Sequence, residues 1–475
     1  MSKPPPFRPL SRDLVGELFK LGWPVLIAQL AVMANGVIDT IMAGRHGTVD
    51  LAAVGISGAI FFSVFGPLMG IQIAITPIVA RLFGAGRHAD IGEEVRQGMW
   101  LSLILSLIAF VAFRFPDPFI ALTRVEPAVE ALIREYLSWI AWGVPSAMMF
   151  RLFASYTTAV SRPRMVMMLN LSGLLLKVPL NWVFMYGHFG MPEMGAAGCA
   201  LSTTLISWSM CCLAWYLSAR DSQYRRYQVF ARWSWPDLKA LREMVSLGLP
   251  IGVTFFVDVT AFTFMALFVA RLGAVTSASH QIAANLAALM FMLPLSLGNA
   301  CGVLVGQALG ARDFVRARAA GVTGVLLGFG LALTVAAVLF TAAPLIAALY
   351  SADMAVRTTA ATLIVLVAGY HLFDAVQAVA VNVLRGYKRA LVPMLIYGIG
   401  LWGVGLTGGY LLAFGGLESG GVDLAWLGVT APMGARGFWI GAIGGMMTSG
   451  IAVAAYFLYI SDPQRTEREE LRNAA

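Results

Sequence analysis

Five charged side chains lie inside stretches that are otherwise apolar: Asp39, Arg151, Lys177, Asp258 and Asp374. A charge at the centre of a spanning helix is unfavourable by roughly 2.5–3.5 kcal/mol on insertion scales, so each one marks a functional or pairing requirement. Asp258 and Asp374 fall near the middle of their runs, where a solvated helix end does not account for them, whereas Asp39 lies a few residues from Gly44 at the end of its run. Tyr370 precedes Asp374 by four residues and so shares its helix face. Two carboxylates and a phenol make an oxygen-rich set suited either to a hard monovalent cation or to a shared proton, and the sequence leaves both open. Lys177 and Asn181 share a face by the same spacing. His280 and His371 read as hydrogen-bonded packing residues, and Met148–Met149 and Met165–Met168 as packing surface.

The elements that must carry these residues are spanning helices. The chain is 59% hydrophobic and 12% charged, with mean hydropathy +0.77, far from soluble composition. Leu51–Ala80 alone holds no formal charge, and roughly 20 apolar residues suffice to cross a bilayer. Twelve such segments are predicted, near 15–42, 51–80, 97–114, 131–158, 165–187, 196–218, 241–270, 278–308, 320–350, 357–384, 391–414 and 437–460. Basic residues concentrate in alternate connections, including Arg8 and Arg12, Arg81 and Arg87, Arg162 and Arg164, Arg220 to Arg242, Arg312 to Arg318, Arg385 to Arg389, and Arg465 to Arg472. The positive-inside rule then places both termini in the cytoplasm. The first apolar run is too long for a cleaved signal and is expected to stay as a helix.

The chain also matches itself at a constant offset of 226 residues. Leu21-Gly22-Trp23-Pro24 returns as Leu247-Gly248-Leu249-Pro250, Arg45 and Gly47 as Arg271 and Gly273, and Gly84-Ala85 as Gly310-Ala311. Six spans per copy is an even number, so the copies enter the membrane the same way, as parallel repeats of a transporter. The expected fold is therefore an all-α integral membrane protein of twelve helices in two six-helix lobes. Its predicted parts are a tail at 1–13, an N-lobe at 14–218, a linker at 219–240, a C-lobe at 241–460 and a tail at 461–475. Gly302 and Gly306, and Gly437 and Gly441, have the spacing of closely packed helices.

Other chemistries find no support. The net charge of +8 is spread over helix ends, which excludes a nucleic-acid patch. No lysine follows a glycine, so there is no phosphate-binding loop of the ATPase kind. Gly398, Gly400 and Gly403 match a dinucleotide pattern but lie in an apolar span with no strand before them. Cys199, Cys211, Cys212 and Cys301 sit in apolar runs without metal-ligand spacing and read as small buried residues. The loops are too short for a catalytic domain.

Several ungapped stretches give the chain a specific resemblance. They are Val37-Ile38-Asp39-Thr40-Ile41-Met42-Ala43-Gly44, Pro179-Leu180-Asn181-Trp182 and Gly187-His188-Phe189-Gly190-Met191-Pro192-Glu193 in the first half. In the second they are Phe255-Phe256-Val257-Asp258-Val259-Thr260, His280-Gln281-Ile282-Ala283, Asp374-Ala375-Val376-Gln377 and Leu384-Arg385-Gly386-Tyr387-Lys388. Together they resemble the multidrug and toxic compound extrusion (MATE) transporters of the NorM-type branch, over nearly the whole chain except the termini and the Gly-rich segment 415–436. The resemblance implies two lobes forming a V-shaped cavity and export of cationic, amphipathic drugs, dyes and toxic compounds in exchange for Na⁺ or H⁺. It implies no other cofactor, and a bacterial inner-membrane location. The family's N-lobe acid falls on Asp39 and its C-lobe ion-site residues on Asp258, Tyr370 and Asp374. Asp258 stands where the branch usually has Glu. Lys177 takes the first place of a paired-Asn motif, leaving Asn181 alone, and Thr158 stands where many relatives carry Glu.

An N-lobe more cationic than the family pattern gives weight to a second reading, a flippase of lipid-linked precursors with the related superfold. A membrane enzyme is a third, and it lacks a catalytic constellation. A lysine at mid-membrane needs a counter-charge, and family analogy makes Asp39 its expected partner. A monomer in the lipid bilayer is expected.

Overall fold

The computed structural model describes residues 8–123, 125–418 and 431–474. Most of the Gly-rich segment 415–436 and the first seven residues of the 1–13 tail lie outside them. The described chain is helical, and its long elements are α1 Arg12–His46, α2 Thr48–Gly84, α3 His88–Arg114, α4 Pro127–Ala159, α5 Pro163–Tyr186 and α6 Ala196–Arg220. They continue as α7 Leu238–Ala270, α8 Ala274–Gly310, α9 Phe314–Tyr350, α10 Met354–Gly386, α11 Leu391–Gly415 and α12 Ala435–Ile460. Among the described residues, eleven of these are long and apolar enough to cross a membrane. The twelfth, α4, runs 33 residues with Arg151 inside its apolar run. It lies within its own bundle, packed by α2, α3 and α6, and so does not need a lipid-compatible surface all round. Outward-facing Leu107, Leu175, Phe340 and Leu349 are exposed apolar residues of the kind that hydrocarbon, not water, would cover.

The repeat read from the sequence is present in the helices. Thr48 and Ala274 begin α2 and α8, and Gly84 and Gly310 end them, at the same offset of 226. The turns that follow are alike: Arg87 N–H donates to Leu82 O, and Asp313 N–H to Ala308 O. The left-handed residue is Gly86 in one copy and Arg312 in the other. A glycine adopts that conformation freely and an arginine does so at a penalty, so the turn is imposed by the repeat. Between the last helices of each copy, α6 and α12, the offset widens to 239, the extra chain falling in 415–436.

Two compact units result. One is Lys20–Val253; the other is Thr254 onward with the start of the chain up to Phe19. Each has its own core. In the first, Ile133, Leu137, Ile140 and Val144 of α4 are buried with Phe113 of α3. In the second, α10 plays the same part, buried from Val356 to Gly386 against α8, α9 and α12. Gly302 permits this packing, since a Cβ there would stand 2.7 Å from Asn382 O, and Gly441 permits the approach of α12 to α11, where a Cβ would meet the Gly409 backbone. One expectation needs correction. Cys212 is exposed, not buried, because it lies on the outer face of α6. The tail after 460 is largely helical, as α13 Pro463–Ala474, and the linker holds a short helix at Ser222–Arg225.

Candidate functional site

In the first unit, α1 carries Asp39 to the face of α5 that bears Lys177 and Asn181. Lys177 Nζ lies 2.9 Å from Asp39 Oδ1, and Asn181 Nδ2 donates to the same oxygen at 2.6 Å. The ammonium also donates to Thr203 Oγ1 at 2.5 Å and to Cys199 O at 3.3 Å. Its three protons thus have three acceptors, and Lys177 is 1% exposed. The acceptors on α6 reach it because Gly198 lets that helix press on the Phe184–Met185 backbone, where a Cβ would stand 2.6 Å from Met185 N. Asn181 Oδ1 is buried without a partner. The expected pairing of Lys177 with Asp39 is present. Tyr136 of α4, not singled out in the sequence, lies in electrostatic range of Asp39.

Arg151 does not join this cluster. Among the described residues no carboxylate pairs with it, and its Nε is buried without a hydrogen-bond acceptor. Thr158 donates back to Ala154 O at 2.7 Å and is part of the helix, not of a site.

In the second unit, α7 carries Asp258, α10 carries Tyr370 and Asp374, and all three lie within electrostatic range of one another. The closest partner of Asp258 is one the sequence reading passed over: Tyr397 on α11 donates its hydroxyl to Asp258 Oδ1 at 2.7 Å. Tyr397 was legible only as an uncharged polar group in an apolar run, a weaker signal than a charge. Tyr370 instead packs edge-on against Phe262 and Trp439. Asp374 is 3% exposed, with His371 Nδ1 at 4.0 Å, beyond hydrogen-bond reach. His280 and His371 are buried as expected, but His280 Nδ1 and His371 Nε2 have no partner, so they are not the fully hydrogen-bonded packing residues anticipated. Just beyond Tyr397, α11 runs as a π-helix over Ile399–Leu406, the kind of irregularity that clusters at functional sites.

A further polar group closes the α1–α2 end of the first unit. His46 Nδ1 is 2.7 Å from Asp50 Oδ2 and its Nε2 2.9 Å from Glu193 Oε1. Ala196 N–H donates to Asp50 Oδ1 at 2.6 Å. Gly195, at φ +53°, sits where any Cβ would strike Asp50, so the stretch ending in Glu193 is fixed by close packing. Among the described residues no group of three or more His, Cys, Asp or Glu is placed to hold a metal.

Two copies of a six-helix bundle, each burying acids on inner helix faces, define a repeat-built secondary transporter. The MatE family model matches residues 24–183 and again 250–411. A probable multidrug resistance protein NorM of Aromatoleum aromaticum is 42% identical over 85% of this chain and 87% of its own. The multidrug resistance protein PmpM of Pseudomonas aeruginosa is 37% identical over 99% and 98%. The fold agrees with the crystal structures of the Vibrio cholerae MATE transporter VcmN in the bent form (TM-score 0.80, 19% identity, 94% and 97% covered) and the eukaryotic MATE transporter AtDTX14 (0.82, 18%, 98% and 99%). The chain belongs to the MATE family of transporters, in its NorM-type branch.

Proposed function

We propose that this protein is a secondary active multidrug antiporter, exporting cationic amphipathic compounds in exchange for Na⁺ or H⁺ by alternating access of its two lobes. The observation that carries the reading is the acid group of the second unit, Asp258 bonded to Tyr397 with Asp374 and Tyr370 in electrostatic range. Two carboxylates, Asp374 buried and Asp258 half-buried, and two phenols offer oxygens to a monovalent cation or positions for a shared proton. In the first unit Asp39, held by Lys177 and Asn181, is the acid a cationic substrate or a proton would engage, in competition with Lys177. The protein acts as a monomer in a bacterial inner membrane with both termini cytoplasmic, on the charge pattern of its connections. It needs no cofactor beyond the coupling ion and carries out no covalent chemistry. The flippase reading loses the support of Lys177, whose charge Asp39 neutralises, and retains that of Arg151 alone.

Proteoliposomes preloaded with a fluorescent cationic dye test this. Dye movement driven by an imposed Na⁺ or H⁺ gradient is expected, with one ion effective. No movement under either gradient, together with translocation of a lipid-linked precursor, would reverse the choice.

A further inference from the structure

The segment joining the two copies does not hang free. Arg96 of α3 is buried beneath it, donating through Nη1 to Gln228 O and Val229 O at 2.8 and 3.0 Å and through Nε to Ser234 Oγ at 2.8 Å. Gln97 Nε2 donates to Trp235 O and Trp100 Nε1 to Ser234 O, while Glu93 joins Arg96 to Arg232. Gly92 allows the contact, because a Cβ there would strike Tyr227 O. Residues 227–235 are therefore fixed on the bundle.

Between this fixed segment and the end of α6 lies a pocket of about 200 Å³, lined in part by Ser218, Tyr224, Arg225, Gln228 and Phe230, far more than the ~15 Å³ that admits one water. Two of its groups lack partners. Ser218 is 3% exposed, and its hydroxyl, which most helical serines turn onto their own backbone, is bonded to nothing. The Arg225 guanidinium has no ion pair or hydrogen bond among the described residues. Asp221, four residues before Arg225 in the chain, is engaged by Gln223 N at 2.8 Å and by Arg162 at 3.7 Å. An unpaired guanidinium beside a free hydroxyl is the donor set for a phosphate oxygen pair.

The surroundings identify where that phosphate comes from. Its lining residues Ser218 and Ala219 directly precede Arg220, the end of a spanning helix, and Phe230 of the lining is exposed, as are Trp233 and Trp235 further along the same segment. Exposed tryptophans next to a helix end belong at headgroup depth. From Arg220 to Arg242 there are six basic residues, Arg220, Arg225, Arg226, Arg232, Lys239 and Arg242, against the acids Asp221 and Asp237, a juxtamembrane bias that anionic lipid attracts. We infer that this pocket is a binding site for the phosphodiester headgroup of an anionic phospholipid of the cytoplasmic leaflet, held by Arg225 and Ser218 with its chains beside Phe230. The leaflet rests on the orientation proposed above; the binding does not.

Purified protein in detergent is titrated with phosphatidylglycerol, phosphatidylethanolamine or inorganic phosphate, reading retained ligand by native mass spectrometry and the thermal midpoint. Phosphatidylglycerol is expected to be retained and to raise the midpoint. Arg225→Gln should weaken it about tenfold, the loss of one charge-assisted hydrogen bond. Ser218→Val, which fills the space and removes the hydroxyl, should act likewise, and Arg225→Lys should keep part of the binding. A lipid-free melt confirms that each variant is folded, and binding is read without transport, so a failed efflux assay leaves this result intact. Equal retention of both lipids, unchanged binding in Arg225→Gln and Ser218→Val, or an equal midpoint rise with inorganic phosphate would each overturn the site.

Discussion

Lys177 Nζ and Asp39 Oδ1 are 2.9 Å apart on two different helices, with Lys177 almost wholly buried. Removing one partner of such a pair leaves an uncompensated buried charge, unfavourable by about 3–5 kcal/mol, whereas removing both relieves it. Lys177→Asn and Asp39→Asn should therefore each lower the thermal midpoint, and the double variant should recover most of the loss. A double-mutant cycle on unfolding and on efflux measures the coupling. Additive effects would show that the contact does not govern the site.

The second unit assigns separate parts to its acids. Asp374→Asn keeps shape and removes charge, so gradient-driven efflux should be abolished while the protein still folds and inserts. Tyr397→Phe removes the hydrogen bond to Asp258, destabilising by about 1–3 kcal/mol if the carboxylate finds no new donor. That variant should still transport, with a changed concentration dependence on the coupling ion. Undiminished efflux in Asp374→Asn would remove the ion-coupling role from this residue.

How much of this was legible without coordinates follows from the strength of each physical signal. A formal charge in an apolar run is conspicuous, and so Asp39, Lys177, Asp258 and Asp374 could be found by inspection. A hydroxyl such as that of Tyr397 scarcely alters the hydropathy of its segment, and its importance arises only when α11 packs beside α7. Helix positions followed from apolar length, and the repeat was exact enough to place Thr48 and Ala274 at matching helix starts. The docking of the linker was not readable, because Arg96 looks like any basic residue near a helix end until its bonds to Gln228 and Val229 are seen. The site residues also break the repeat: Asp258 corresponds to Val32 and Asp39 to Met265 at the offset of 226, and Asp374 to Ala147 at the offset of 227 between α4 and α10. The copies share a scaffold and differ where they handle charge.

The glycine contacts separate positions that sequence spacing treats alike. Gly441 meets the backbone of Gly409, which has no flexible end to move, whereas a Cβ at Gly330 on α9 meets nothing within 4 Å. Gly441→Ala should destabilise by about 1–3 kcal/mol through overpacking, and Gly330→Ala should be neutral or slightly stabilising, as alanine favours helix. Thermal unfolding of the two variants side by side measures this; equal midpoints would contradict the close α11–α12 approach.

The C-terminal helix α13 gives a pH dependence outside the spans. Glu469 accepts from Arg389 at 2.8 Å and from Arg465 at 3.3 Å. Partial burial pushes its carboxyl up, but the hydrogen bonds and charges of the two arginines outweigh this and hold it below the ordinary glutamate range. A carboxyl lowered in the folded state contributes stability above its unfolded pKa and loses it as pH falls through the lowered folded value. Docking of α13 should accordingly hold at neutral pH and weaken as the medium becomes more acidic than a free glutamate requires. Both arginines are partly solvated, so screening keeps the effect to about 1 kcal/mol or less. Glu469→Gln should remove the pH dependence and expose α13 at neutral pH to the extent seen in the parent at acid pH. Amide hydrogen exchange across Pro463–Ala474 as a function of pH measures it, and an identical acid response in Glu469→Gln would assign the effect to another group.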